Sequence, residues 1–209
     1  MESLSNAERE YEDQEFRELT ARGEEIDFKE FRECAFTDCF LRETAFRGCK
    51  FHSCVFRQCD LSLVHVRDCR FVNARFEDCK MIGVNGAVAD WPRGKSLFAS
   101  IGFFDCSVSY SPFIGLRLRG ITITRCVARE VDFSEADLTL ANCTFTDFSR
   151  SRFLHTNLTG ADFTGATDYS INANLNLLKS AKFSLPEAMS LLSSLDIILT
   201  GPTTSGCQA

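Results

Sequence analysis

Residues 49–71 read CKFHSCVFRQCDLSLVHVRDCRF, and this stretch decides the fold. Cys49, Cys54, Cys59 and Cys69 are spaced by five or ten residues, and an apolar residue stands two places after each. A period of five matches neither the 3.6 residues of a helical turn nor the two-residue alternation of a strand. The stretch therefore predicts a repeat whose unit is five residues long.

The same period extends over most of the chain. One register of apolar residues runs from Phe16 to Met81, and a second, displaced by two residues, runs from Phe98 to Phe163. If four units form the four sides of one coil, every twentieth residue returns to the same side about 4.8 Å higher. We therefore predict an all-β, four-sided β-helix over 16–168. Its stacked core includes Phe36, Phe56, Phe76, Phe133, Phe153, Cys39, Cys59 and Cys79.

The 11 cysteines suggest packing rather than chemistry. The chain has no C-x2-C pair, and His52, His65 and His155 are far apart, so no zinc site is predicted and no cofactor is expected. The start of the sequence lacks the features of a signal peptide, which favours a cytoplasmic protein with reduced thiols. A buried free thiol behaves as a small apolar group. Cys207, in a polar and flexible tail over 200–209, is expected to be exposed.

Composition limits the function. No apolar run approaches the roughly 20 residues of a membrane helix, so no membrane association is expected. The formal net charge of −6 argues against direct binding of nucleic acid. No nucleophile with a base, no paired carboxylates and no phosphate loop is recognisable, so the chain is predicted not to be an enzyme.

The register slips within residues 82–97, where Gly83, Gly86, Pro92 and Gly94 favour turns. Two interpretations remain open. The segment either kinks the rod or projects a loop that carries Trp91 to a partner, or it is a tolerated insertion with Trp91 packed onto the coil.

The two ends differ from the repeat. Residues 1–15 are expected to be a partly disordered lead-in. Residues 169–199 are predicted to form an α-helical cap that begins with a capping box at Ser184 and Glu187. Apolar residues recur there at helical spacing: Leu185, Ala188, Met189, Leu192 and Leu195. This stripe caps a monomer or joins two copies into a homodimer, and the dimer is the prediction.

Charge is uneven along the sequence. Residues 1–33 carry a net −7, 34–129 a net +6 and 130–170 a net −5. In the third block, the outward acids are expected to surround the coil as an acidic zone for a basic partner: Asp132, Glu135, Asp137, Asp147 and Asp162.

Runs such as ADFTGA, CDLSL, CAFTD and CKFHS resemble the A-(D/N)-L-x-x motif of pentapeptide-repeat proteins. That family implies a right-handed quadrilateral β-helix. DCKMIGVN, DYSIN and the ending AKFSLPEAMSLLSSLDI resemble the topoisomerase-protecting branch (Qnr, MfpA and microcin B17 immunity), closest to the albicidin-resistance type. The resemblance implies a DNA-mimicking dimer that binds DNA gyrase, and topoisomerase IV as a second target, and protects the enzyme from poisons such as albicidin or quinolones.

Two other hypotheses stay open at this point. A non-enzymatic scaffold with an unrelated partner would use the same rod. A thiol-based metal or redox protein rests on the cysteine count alone.

Overall fold

The structure is a computed structural model that describes residues 4, 8–91, 101–195 and 197. Phe98, residues 92–97 of the interruption, most of residues 1–7, and Cys207 with the rest of the tail over 200–209 lie outside the described residues.

Short parallel strands build the fold. In chain order they are β1 (Glu10–Glu12), β2 (Glu15–Arg17), β3 (Glu25–Asp27), β4 (Glu30–Arg32), β5 (Ala35–Thr37), β6 (Ala45–Arg47), β7 (Lys50–His52), β8 (Val55–Arg57), β9 (His65–Arg67), β10 (Arg70–Val72), β11 (Ala74–Glu77), β12 (Ile101–Phe104), β13 (Thr122–Thr124), β14 (Arg152–Phe153), β15 (Asp162–Phe163), β16 (Ser170–Ile171) and β17 (Lys182–Phe183). Two 3₁₀ helices complete the list, Gly86–Val88 and Glu187–Ser194.

The strands stack on four faces, which confirms the predicted solenoid. On the first face β1, β4, β7 and β10 pair in order, and the ladder of Arg117, Asp137, Asn157 and Leu177 continues that face. The second face runs from β2 through β5, β8, β11 and β12 to β13. The third face consists of single bridges from Thr20 to Thr167. The fourth holds β3, β6 and β9, then Pro112, Asp132, β14 and β16.

The core consists of columns of identical side chains. Along the second face the Phe36 and Phe56 rings stack with centroids 4.6 Å apart, and Phe56 and Phe76 are 4.8 Å apart. Phe133 and Phe153 stack at 5.2 Å on the fourth face. Each stacked ring removes apolar surface from water, and the parallel offset geometry adds favourable ring contacts.

The inner corners hold small hydrogen-bond donors. The Cys39 thiol donates to the Phe16 carbonyl and the Cys59 thiol donates to the Phe36 carbonyl, both at 3.4 Å. Thr146 occupies the equivalent position above Cys126 and donates to the Ile123 carbonyl at 2.7 Å. Cys79 makes the same kind of bond to Phe56. A cysteine is therefore used there as a small side chain with a weak donor.

The coil extends beyond 16–168 at both ends. β1 pairs with β4 and Tyr11 is buried, so the coil already includes residues of the expected lead-in. At the other end β14 pairs with β16 and β15 pairs with β17, which takes the ladders to Phe183. Tyr169 is buried where Asp168 would break the pattern. A local shift of two residues moves Asp168 outward and preserves the apolar column.

One coil is longer than the others at the interruption. Arg75 pairs with Val55 below it and with Gly102 above it, so one coil contains 27 residues instead of 20. Residues up to Asp90 still follow the coil, because the Asp90 amide donates to the Cys69 carbonyl. A coil that is seven residues longer than the others explains the two-residue slip of a five-residue register.

The predicted C-terminal α-helix is wrong. Glu187–Ser194 is a 3₁₀ helix, and Pro186 precedes it without a side-chain cap. Ser184 does not close a capping box, because its hydroxyl accepts a hydrogen bond from the Gly165 amide at 2.9 Å. The segment still covers the end of the coil: the Ala173 amide donates to the Ser194 hydroxyl, and Leu191 packs against the core.

Candidate protein-interaction surfaces

The described residues offer no evident catalytic or metal centre. Within them, no group of three or more His, Cys, Asp or Glu side chains is placed to hold a metal ion. His52 lies on the first face and His65 on the fourth, which separates two of the three histidines. No helix in the described part of the chain is long and apolar enough to cross a membrane.

The described thiols are buried rather than poised for reaction. All ten cysteines in the described ranges are free and buried. Burial raises the pKa of the Cys54 thiol and that of the Cys143 thiol to about 12 in each case. Because the thiolate is the reactive form, Cys54 and Cys143 are suited to packing.

The five acids of the predicted acidic zone lie around the coil. Asp132 lies on the fourth face, Asp137 on the first, Asp147 on the third and Asp162 on the second. Glu135 has a positive φ of 60° at the corner between Asp132 and Asp137. The five acids therefore do not form one stripe, and they differ in how they are neutralised.

Two of these acids are neutralised within the rod. Asp147 accepts from the Arg129 guanidinium at 2.7 Å, and Asp162 lies 3.1 Å from the Lys182 ammonium. Hydrogen bonds from Thr164 and then from Lys182 lower the pKa of Asp162 against the opposing effect of burial. Burial tends to raise the pKa of Asp147, but hydrogen bonds from Ser149 and Arg129 outweigh this effect, so the pKa is lowered.

The other three acids form a group that we call the acidic corner: Asp132, Glu135 and Asp137. None of the three has an ion-pair partner among the residues that the structure describes. Their net negative charge is therefore available to a partner.

A structural role of the aspartates was missed by the sequence analysis. The Asp132 carboxylate accepts from the Ser134 amide at 2.8 Å, and Asp137 accepts from the Thr139 amide at 3.0 Å. Asp-x-Ser and Asp-x-Thr spacing is typical of such turns and was readable in the sequence. These carboxylates therefore stabilise the turn at the corner through hydrogen bonds and also give the corner its negative charge.

Charge along the rod is organised by corner and by coil, not by sequence block. Many bases of the middle block pair with an acid one coil away, such as Arg57 with Glu77 at 3.0 Å and Arg125 with Asp105 at 2.7 Å. Within the same middle block, acids follow one corner between the second and third faces. This column includes Asp38, Asp78 and Asp105, with Gln58 between the first two, and Glu18 of the first block continues it one coil below; each of these residues has a positive φ. A block sum of +6 therefore conceals an acidic edge.

Trp91 is packed onto the coil and does not project. Its indole Nε1 donates to the Gly86 carbonyl at 2.7 Å, and its half-buried ring contacts the core. The arrangement matches the tolerated-insertion interpretation and leaves little of Trp91 for a partner.

The C-terminal apolar residues separate into two rows, because residues three apart lie on the same side of a 3₁₀ helix. Met189, Leu192 and Leu195 form the outer row, in which Met189 is 53% and Leu195 39% exposed. Ala188 and Leu191 form the other row, half-buried toward the core, and Leu185 is 78% exposed. The single predicted stripe is thus divided; in its apolar outer row Met189 and Leu195, the residue just after the helix, are exposed and Leu192 is half-buried.

Comparison with known proteins identifies the repeat. A model of the pentapeptide repeat region matches residues 29–98, and a model of eight pentapeptide repeats matches 117–153 and 129–165. Together they cover more than half of the chain. The chain belongs to the pentapeptide-repeat family. No curated protein matches it significantly.

Two solved structures share the fold. Two trypsin-treated variants of QnrB1, a plasmid-mediated fluoroquinolone resistance protein, align with TM-scores of 0.54 and 0.53. They are 19% and 18% identical to this chain and cover 92% of it, while 99% and 97% of their own chains are covered. HetL, from the cyanobacterium Nostoc sp. strain PCC 7120, covers 83% of the chain at 15% identity and a TM-score of 0.27, with 86% of its own chain covered.

Proposed function

We propose that this pentapeptide-repeat protein binds DNA gyrase at the place of a DNA segment and protects the enzyme from poisons that trap cleaved DNA. Topoisomerase IV, whose chemistry is the same, is the second target. The acidic corner carries the proposal: Asp132, Glu135 and Asp137 present carboxylates that form no ion pair with the residues that the structure describes. A basic groove that normally accepts DNA would recognise such charge.

The shape of the molecule supports the same function. A four-sided coil forms a rod whose successive coils are about 4.8 Å apart, and its outward acids lie on the surface of that rod. The QnrB1 fold supports the interpretation at the level of architecture. The protein acts by binding, without an enzymatic step of its own and without contacting nucleic acid directly.

The outer row of the C-terminal 3₁₀ helix would join two copies into a homodimer. Met189, Leu192 and Leu195 lie at the end of the rod, so pairing there would double its length. This arrangement would place the third charge block, and with it the acidic corner, near the dimer centre.

The test is a gyrase supercoiling and cleavage assay with increasing amounts of purified protein, with and without albicidin and a quinolone. We expect less trapped cleavage at concentrations that spare supercoiling, and the poison that responds identifies the class. No change in either reaction at micromolar protein would overturn the proposal.

A scaffold with an unrelated partner is the second candidate, and the extensive ion pairing between coils favours it. A rod whose charges are largely neutralised is a weaker polyanion than DNA. Pull-down from a cell extract that recovers no topoisomerase subunit would support the scaffold instead.

A further inference from the structure

Two stretches without charged residues lie one above the other in the middle of the rod. Residues 81–89 and residues 106–116 contain no Asp, Glu, Lys, Arg or His, although 25% of the chain is charged. The Gly83 amide donates to the Ser109 carbonyl at 2.9 Å, so the second stretch forms part of the coil above the first. Together they form an uncharged band that is two coils high.

Large apolar side chains are exposed in and beside this band. We call four of them the apolar patch: Leu63, Val88, Tyr110 and Ile114 are 41%, 40%, 57% and 47% exposed. Leu63 packs against the band from below, because a Cβ atom built on Gly83 would lie 2.8 Å from Leu63 Cδ2. Contiguous apolar surface that is open to water is typical of a site where another protein binds.

The members of the apolar patch are neighbours on the fourth face. Leu63 and Val88 line one groove of that face. A Cβ atom built on Gly86 would lie 3.1 Å from a Phe113 ring carbon, so Gly86 lies beneath Phe113 and the residues after it lie beneath Ile114. The apolar patch therefore crosses the fourth face and reaches over two coils.

Charge borders the apolar patch on its upper side. Asp132 forms a parallel bridge with Pro112 of the uncharged band, and Glu135 follows it at the corner. Both acids belong to the acidic corner, one coil above the band. On the lower side, Arg67 and Asp68 are adjacent residues of opposite charge. A partner that covers the apolar patch would therefore meet negative charge at one edge.

We propose that the apolar patch and the acidic corner form one binding surface for a segment of gyrase that carries an apolar anchor beside basic residues. The inference rests on the proposed function and adds an apolar contact to the charge recognition. Tyr110 is the residue best suited to meet the anchor, because tyrosine has a large, rigid ring and is enriched among the residues that dominate binding energy. Basic residues next to the anchor would meet Asp132 and Glu135.

The test measures binding of the full-length protein to gyrase by biolayer interferometry at low salt and at high salt. Tyr110→Asn should weaken binding by about tenfold at both salt concentrations, because salt screens charges and not apolar contacts. Asparagine tolerates the positive φ of 60° at this corner, so the fold should be kept.

Phe145→Asn is the matched control. Phe145 is a 62% exposed aromatic residue with a positive φ of 56°, and it lies at a corner of the rod outside the apolar patch. Its substitution should change the affinity for gyrase less than about twofold.

A second arm separates the apolar contribution from the electrostatic one. Ile114→Ser should also weaken binding at both salt concentrations, and a serine is accepted at the equivalent position one coil above, Ser134. Glu135→Lys should weaken binding more at low salt than at high salt, since it acts through charge.

The outcomes separate this inference from the proposed function. Native affinity of both Tyr110→Asn and Ile114→Ser, with native circular dichroism spectra, overturns the inference and leaves gyrase protection to the acidic corner alone. If the native protein binds no gyrase, the proposed function fails and the inference fails with it. Sedimentation detects another occupant: if Tyr110→Asn reduces self-association and not the affinity for gyrase, a second copy covers the apolar patch and the inference is wrong.

Discussion

Phe145 lies directly against Gly165 one coil above it: a Cβ atom built on Gly165 would stand 2.5 Å from Phe145 Cδ1. Phe145 itself is 62% exposed and has a positive φ of 56°. The same relationship joins Phe28 to Gly48 and Leu140 to Gly160. At these corners a large side chain in one coil therefore packs against a glycine in the coil above it.

Gly165→Ala should destabilise the protein more than Gly115→Ala. Both glycines have a positive φ, +69° and +66°, so both substitutions carry the cost of about 1–2 kcal/mol for a left-handed alanine. Only Gly165 would also force the Phe145 ring to turn, which costs about 1 kcal/mol, since nothing lies within 4 Å of a Cβ at Gly115. Urea unfolding of the two variants measures the difference.

A double-mutant cycle isolates the ring contact. In a Phe145→Ala background, Gly165→Ala should lose only as much free energy of unfolding as Gly115→Ala does. Equal losses already in the native background would show that the Phe145 ring yields without cost.

The five-residue period was enough to predict the columns of the core, because a side chain such as Phe56 must repeat the environment of Phe36 and Phe76. The ends and the charges were less predictable. The segment that holds Met189, Leu192 and Leu195 is short, and its spacing of three residues fits a 3₁₀ helix as well as an α-helix. The sequence pattern therefore does not distinguish the two kinds of helix. Whether Asp162 is neutralised depends on Lys182, which is 20 residues away in sequence and one coil away in space.

Cys126→Ser should be better tolerated than Cys126→Ala. The Cys126 thiol donates to the Phe103 carbonyl at 3.5 Å, and the Thr146 hydroxyl makes the equivalent bond one coil above. Serine keeps a donor at this buried site, whereas alanine leaves the Phe103 carbonyl without one. The alanine variant should therefore lose about 1 kcal/mol more of the free energy of unfolding. Thermal or urea unfolding of both variants provides the comparison, and a more stable alanine variant would contradict a hydrogen-bonding role for the thiol.

The buried Cys143 thiol should make the protein less stable in alkali. Its pKa is raised to about 12, because burial disfavours the thiolate, while the unfolded chain ionises near 9. The stabilising contribution is therefore complete below pH 9 and is lost as the pH rises through 12. The slope approaches about 1.4 kcal/mol per pH unit for one thiol.

Cys143→Ala provides the control for that slope. Urea unfolding at pH 8, 9, 10 and 11 should show a smaller alkaline loss in the variant than in the native protein. Parallel pH profiles would assign the alkaline loss to other groups.

Met189→Lys should convert the proposed homodimer into monomers. Met189 lies in the open outer row, where a charge would be buried by a partner at a cost of several kcal/mol. Ser193→Lys is the matched control, because Ser193 is exposed on the same 3₁₀ helix outside that row. Sedimentation equilibrium gives the masses; a native protein that is monomeric at all concentrations would contradict the dimer.

Glu135→Lys should weaken gyrase protection far more than Asp162→Asn. Glu135 belongs to the acidic corner, where no described residue neutralises it, so reversal changes the field that a basic groove would meet. Asp162 already lies 3.1 Å from Lys182, and asparagine retains an oxygen for the Thr164 amide, so the outer surface changes little. The measurement is the concentration of each variant that halves poison-induced cleavage. We expect an increase of about tenfold or more for Glu135→Lys and less than about twofold for Asp162→Asn. If both variants protect as well as the native protein, the acidic corner does not contact gyrase, and the column of Glu18, Asp38 and Asp78 becomes the surface to reverse next.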